Sequence, residues 1–136
     1  MFKKKMSRER SVPVRYQEPP LIINIERKSK SNKNFRQVIH TDGNMQLVLM
    51  SLRPLEEIGL EKHPKTTQFI RCEGGRGMVE LNGKQFPFKN GDAVIIPAGT
   101  WHNITNKSSK HRLSLYTLYS PPHHAPNTIE ARKSKH

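Results

Sequence analysis

The sequence predicts an all-β fold, a barrel or a sandwich, on three observations. Short apolar runs rich in β-branched and aromatic residues recur at roughly eight- to twelve-residue spacing, each ended by Gly, Pro, Asn or Asp. No long helical period runs through the centre of the chain. Asn82-Gly83, between the matched runs MVEL and KQFPF, is a two-residue hairpin signal, because both residues accept the positive φ that a type I′ turn demands.

In chain order, a helix fits only around Ile25 to Phe35, a charged and polar stretch. The run at 37–41 is followed by the turn Thr41-Asp42-Gly43-Asn44 and by the apolar run 45–52. Strands are then expected at 67–72, 77–81, 84–88, 93–96, 102–105 and 113–119, punctuated by Gly74-Gly75, Asn82-Gly83, Gly91-Asp92, Pro97-Ala98-Gly99 and the charged turn 107–112. No internal repeat is present.

A chain of 136 residues is one domain of ordinary size, and no run of eighteen apolar residues exists. The start MFKKKMSRER has no apolar segment behind it, so no signal peptide or transmembrane segment is expected and the reading is intracellular, cytoplasmic. The single Cys72 excludes an internal disulfide framework and any site built from several thiolates. The net charge of +13 is uneven. Residues 37–120 hold ten Lys+Arg against seven Asp+Glu, whereas the flanks hold fourteen against four. The expected organisation is a flexible basic arm at 1–20, a barrel with its lead-in at 21–120 (core 37–120) and a basic exit tail at 121–136. Segments such as KKKMSRER and RKSKSNKNFR read as solvated chain, because too little apolar surface is available to offset the entropy of ordering. The sharper alternative is an electrostatic tether for a polyanion; few aromatics are interleaved, so base reading is not supported.

Two stretches carry chemistry. In Gly59-Leu-Glu61-Lys-His63-Pro64, alternate side chains of an extended chain share a face, so Glu61 and His63 can grip one ion from one wall. Pro64 ends that strand, and on the returning run Gln68, Ile70 and Cys72 share a face, which places the Gln68 amide where it can complete the group. In Gly91-x5-Pro97-x-Gly99-x2-His102-x3-Asn106 an apolar strand stops at a Pro and Gly turn and His102 opens the next. One carboxylate and two imidazoles suit one divalent transition metal, Fe(II), Mn(II), Ni(II) or Zn(II), with open positions for a ligand. Gln68 then binds as a neutral oxygen or orients a ligand from behind. The competing reading makes His63 and His102 hydrogen-bonded barrel residues and Glu61 a rim charge. The Glu-x-His period and the full frame of the second stretch favour the metal.

Together these stretches resemble the cupin superfamily over most of residues 40–120. The second fits that family's second motif at Gly91, Pro97, Gly99, His102 and Asn106. The first motif carries a Gly, two histidines one residue apart, a carboxylate and a closing Gly; those positions here are Leu55 (with Gly59 the nearest glycine), Glu61, His63, Gln68 and Gly75. Two ligand types change while their spacing survives. The chain is similar to small single-domain, phosphomannose-isomerase-like cupins, whose Pro-Pro exit matches Leu115 to His124. The resemblance implies a cupin jelly-roll β-barrel, one divalent metal in its mouth and a homodimer, and no single activity.

Other residues carry less. His123 and His124 face opposite ways on an extended chain and read as a polar exit loop; His111 reads as solvated, Cys72 as a small buried apolar group, and Trp101 as packing or as cover for a ligand. Arg53, Arg71 and Arg76 are candidates for an anionic substrate group, with parity leaving open which of them faces inward. Two functions from different classes follow. One is a metal-dependent cupin, isomerase or dioxygenase, acting on a small polar metabolite such as a sugar or sugar phosphate. The other is a non-catalytic module whose basic arms hold a polyanion or neighbouring subunits.

Overall fold

The computed structural model describes residues 5–6 and 12–134. In chain order the elements are β1 Lys5–Met6, α1 Ile25–Ser31, β2 Arg36–Thr41, β3 Gln46–Leu52, β4 Glu61–Lys62, β5 Thr67–Gly74, β6 Arg76–Leu81, β7 Lys84–Lys89, β8 Ala93–Ile96, β9 His102–Asn106, β10 Leu113–Ser120 and β11 Ile129–Glu130. They form two sheets, β1-β4-β9-β6-β7 and β11-β2-β3-β10-β5-β8, antiparallel except where β1 runs parallel to β4. Core side chains come from both sheets: Val48, Met50, Leu52, Ile70, Cys72, Leu113 and Leu115 from one, Val79, Phe88 and Ile104 from the other. This is the jelly-roll arrangement the resemblance implies. Each of the eight central runs is a strand, and Asn82 (φ 49) and Gly83 (φ 86) make the left-handed pair that joins β6 to β7. No helix among the described residues is long and apolar enough to cross a membrane.

The described parts of the flanks carry more structure than composition suggests. The helix α1 starts at Asn24, whose side chain accepts from the Arg27 N–H, and it packs on β3, β5 and β10. It stops four residues short of Phe35, because the Asn32 side chain bonds the Asn34 backbone in both directions and competes with the helix ladder. RKSKSNKNFR is therefore not solvated throughout: Ser29 and Asn32 are buried and Phe35 joins the core. A small polar residue can be the buried face of a helix, which an apolar count does not register. Of the expected arm, residues 1–4 and 7–11 lie outside the described residues; 12–20 run beside the β2–β3 turn, where Glu18 accepts from the Thr41 N–H at 3.1 Å and Gln17 bridges Asp42. Of the expected tail, 135–136 lie outside. Its β11 pairs with the outer edge of β2, and Glu130 forms an ion pair with Arg36 directly opposite.

Candidate metal centre

The short strand β4 lies against β9 with Glu61 directly opposite His102, so the two side chains leave the same face. His63 is two residues beyond Glu61 and shares that face. Its carbonyl accepts the Gly99 N–H at 2.8 Å, which ties the first stretch to the turn that delivers His102. Among the described residues Glu61, His63 and His102 offer one ligand atom each within 4.8 Å of one another. Glu61 Oε1 stands 3.3 Å from His63 Nε2 and 3.9 Å from His102 Nε2, and the two rings are 5.0 Å apart. Neighbouring ligand atoms on one ion with bonds of about 2.1 Å lie about 3.0–3.4 Å apart, so the spacing is close to that of a coordination shell.

The protonation pattern agrees. His102 Nδ1 donates to the Thr100 carbonyl at 2.9 Å, which leaves the lone pair on Nε2. Burial pushes the His102 pKa down, against smaller opposing effects of that hydrogen bond and of Glu61, so the ring is held neutral. His102 Nε2 and Gln68 Oε1 are buried without a hydrogen-bond partner, and neither ring nitrogen of His63 has one, its Nε2 facing the Glu61 carboxylate. A buried polar atom left unsatisfied destabilises by roughly 1–3 kcal/mol, and a cation between Glu61, His63 and His102 would remove that penalty at the two imidazoles. The residues present therefore fit a divalent metal. Gln68 Nε2 donates to Thr117 Oγ1 at 3.0 Å, so the amide is oriented from below and its oxygen is the free end.

His123 and His124 differ from the expected polar exit loop. Gln46, wholly buried on β3, accepts from the backbone N–H of both residues (3.2 and 2.9 Å) and donates to the His124 carbonyl at 2.7 Å. This clamp turns the chain inward, and the strand alternation that would send one ring outward ends with β10. The His123 ring lies 4.3 Å from His63 and stacks on Tyr119; His124 Nε2 is 3.3 Å from the Tyr119 hydroxyl. Burial holds the Tyr119 phenol above its ordinary range and, with Arg36 and His123 nearby, pushes His124 down to about 2. The sequence signal was Gln46 itself, a polar residue at an inward position of β3.

The remaining candidates are placed as follows. Arg53 and Arg76 are exposed, and Arg71 alternates with buried Ile70 and Cys72, faces outward and pairs with Glu73. The arginine on the inward face is Arg36, opposite Met50 and Glu130 in register, which the reading of the sequence did not single out. Trp101 lies under the Lys62 ammonium at 5.5 Å, His111 is exposed, and Cys72 is buried with its thiol pushed up by desolvation. Asn106 is structural: its Nδ2 donates to the carbonyls of Leu52, Arg53 and His111, and its Oδ1 accepts from Ser108.

Comparison with known proteins bears on this arrangement. A Cupin domain family model matches residues 48–119. The chain is 40% identical over 126 residues to the uncharacterized protein YrkC of Bacillus subtilis (88% of this chain, 67% of the relative). It is 43% identical over 116 residues to the uncharacterized protein L612 of Acanthamoeba polyphaga mimivirus (82% and 72%). Among solved structures it resembles BH2720 from Bacillus halodurans at TM-score 0.83 and 39% identity, covering 88% of this chain and 95% of that one.

Proposed function

The chain belongs to the Cupin domain family, and on that premise we propose that its barrel holds one divalent transition-metal ion on Glu61, His63 and His102, with the Gln68 oxygen beside them, and presents it to a small polar metabolite. The observation that carries this reading is the convergence of two buried imidazole nitrogens, neither of them hydrogen-bonded, on one carboxylate oxygen. When bound, such an ion supplies Lewis acidity toward a substrate carbonyl or hydroxyl oxygen. The chain supplies the rest. Thr100 fixes the His102 tautomer, Thr117 aims the Gln68 amide, and the Tyr119 phenol and the His123 ring furnish hydrogen-bonding groups beside His63. A sugar or sugar phosphate is the ligand class that suits such a polar wall, in an isomerase or a dioxygenase of the cupin type. Glu61 is occupied as a ligand, so the base in either reaction is another group.

The test is metal analysis of protein purified without chelators or a histidine tag. We expect about one transition-metal equivalent per chain, in line with a single cluster of donors among the described residues, and its loss in the His63→Ala/His102→Ala double variant. Equal occupancy in the double variant rejects the site. A second reading, a tether for a polyanion, is favoured by the flanks' fourteen basic against four acidic residues. It requires heparin or DNA binding that falls with salt and vanishes when residues 1–20 are removed.

A further inference from the structure

His123 is a candidate for more than packing. It comes from beyond residue 119, where the family match ends, so nothing in the two motifs accounts for it. It is buried, and its ring stands 4.3 Å from that of His63 at 62°, a closer approach than the 5.0 Å between His63 and His102. Two imidazoles on one ion, with metal–nitrogen bonds of about 2.1 Å, bring their ring centres to roughly 4.5–5.2 Å of each other. Both pairs lie near that interval.

We propose that His123 is a further protein ligand of the ion, so that the site uses three imidazoles and one carboxylate. This rests on the metal reading above and adds a residue to it. His123 is outside the group whose ligand atoms all lie within 4.8 Å of one another; ligation by His123 therefore requires its ring to turn about χ1 and χ2. The backbone is already in place for that movement. The His123 N–H is held by Gln46 Oε1, the preceding residues by Thr66 Oγ1 donating to the Pro121 carbonyl, and the chain beyond by β11 on β2. His124 is committed elsewhere, to the Tyr119 hydroxyl, and makes the natural control.

The experiment is pulsed EPR of the full-length protein loaded with Cu(II), counting coordinated imidazoles. Three are expected in the wild type, two in His123→Gln and three in His124→Gln. Loss of His123 should also weaken Cu(II) affinity at least about tenfold, in the range seen when a ligand or its support is removed. Two imidazoles in the wild type, or an unchanged count in His123→Gln, overturns the proposal while leaving the three-residue site standing. Failure of the wild type to take up Cu(II) removes both. The wild-type count needs no variant, so a His123→Gln chain that does not fold leaves the proposal decidable.

Discussion

The Gly99 N–H donates to the His63 carbonyl at 2.8 Å, so the two halves of the candidate site are joined through backbone as well as through the pairing of Glu61 with His102. Gly99 makes this contact from a left-handed conformation (φ 86), with open space where a Cβ would go. Gly77 is the opposite case: a Cβ there would lie 2.4 Å from the Thr105 carbonyl oxygen and 2.9 Å from Leu113.

Substitution separates these two demands. Gly99→Ala should lose about 1 kcal/mol, the penalty of a Cβ in the left-handed region. Gly77→Ala should lose about 2–3 kcal/mol, because rigid backbone must shift to admit the methyl group. Urea unfolding of the two variants reads the order; an equal loss, or the reverse order, contradicts the packing described.

At Leu55 a side chain occupies a place suited to glycine. Arg53-Pro54-Leu55-Glu56 closes with a Glu56 N–H to Arg53 carbonyl bond of 3.0 Å, and Leu55 takes φ 64 at the third position of what is a type II turn. Its side chain is 63% exposed, so little packing is at stake. Leu55→Gly should raise the unfolding free energy by about 0.5 kcal/mol, the relief of left-handed strain exceeding the added freedom of the unfolded chain. Leu55→Ala keeps the strain and should show no gain. A loss of stability in Leu55→Gly would refute the assignment.

The same position shows how the sequence was legible. Counting the first motif backward lands on Leu55, and the backbone there does what a glycine would do, so the frame was readable although the residue type was not. The eight central strands were readable because each carries its own β-type run between turn residues. The two-residue strands β4 and β11 carry no such signal; β4 exists because β9 lies beside it and β11 because β2 has a free edge. The convergence of Glu61, His63 and His102 was legible from parity and spacing, which survive folding. His123, His124 and Arg36 were missed because their placement depends on the Gln46 clamp and the Glu130 pair, contacts between residues separated by 78 and 94 positions.

His124 gives the protein a predictable acid sensitivity. The folded chain holds its imidazole neutral down to about pH 2, whereas the unfolded chain takes up a proton near the ordinary value of 6.5. Its contribution is therefore complete above pH 6.5 and is lost progressively as the pH falls from there toward 2. The slope is up to about 1.4 kcal/mol per pH unit. Burial of His102 acts in the same direction. His124→Gln, which can still reach the Tyr119 hydroxyl, should show a flatter decline in urea midpoint between pH 6.5 and 4 than the wild type. Parallel curves would mean that His124 is not buried as a neutral ring.

Gln68 offers the sharpest test of what surrounds the proposed ion. Its Oε1 is buried and unpaired while its Nε2 is engaged by Thr117, so replacing the amide by a carboxylate changes the free end from neutral to anionic without changing its reach. The Thr117 hydroxyl can reverse its role and donate to the new carboxylate. Without a metal, Gln68→Glu places a second buried carboxylate in the barrel, and the apo form should lose about 1–3 kcal/mol of stability from desolvation. With a metal, the added charge should tighten binding, so the gap in melting temperature between metal-loaded and metal-free protein widens relative to wild type. Calorimetric titration with Zn(II) and melting with and without chelator measure the two halves. Tighter binding together with a less stable apo form places Gln68 beside the ion, and weaker binding places it away from it.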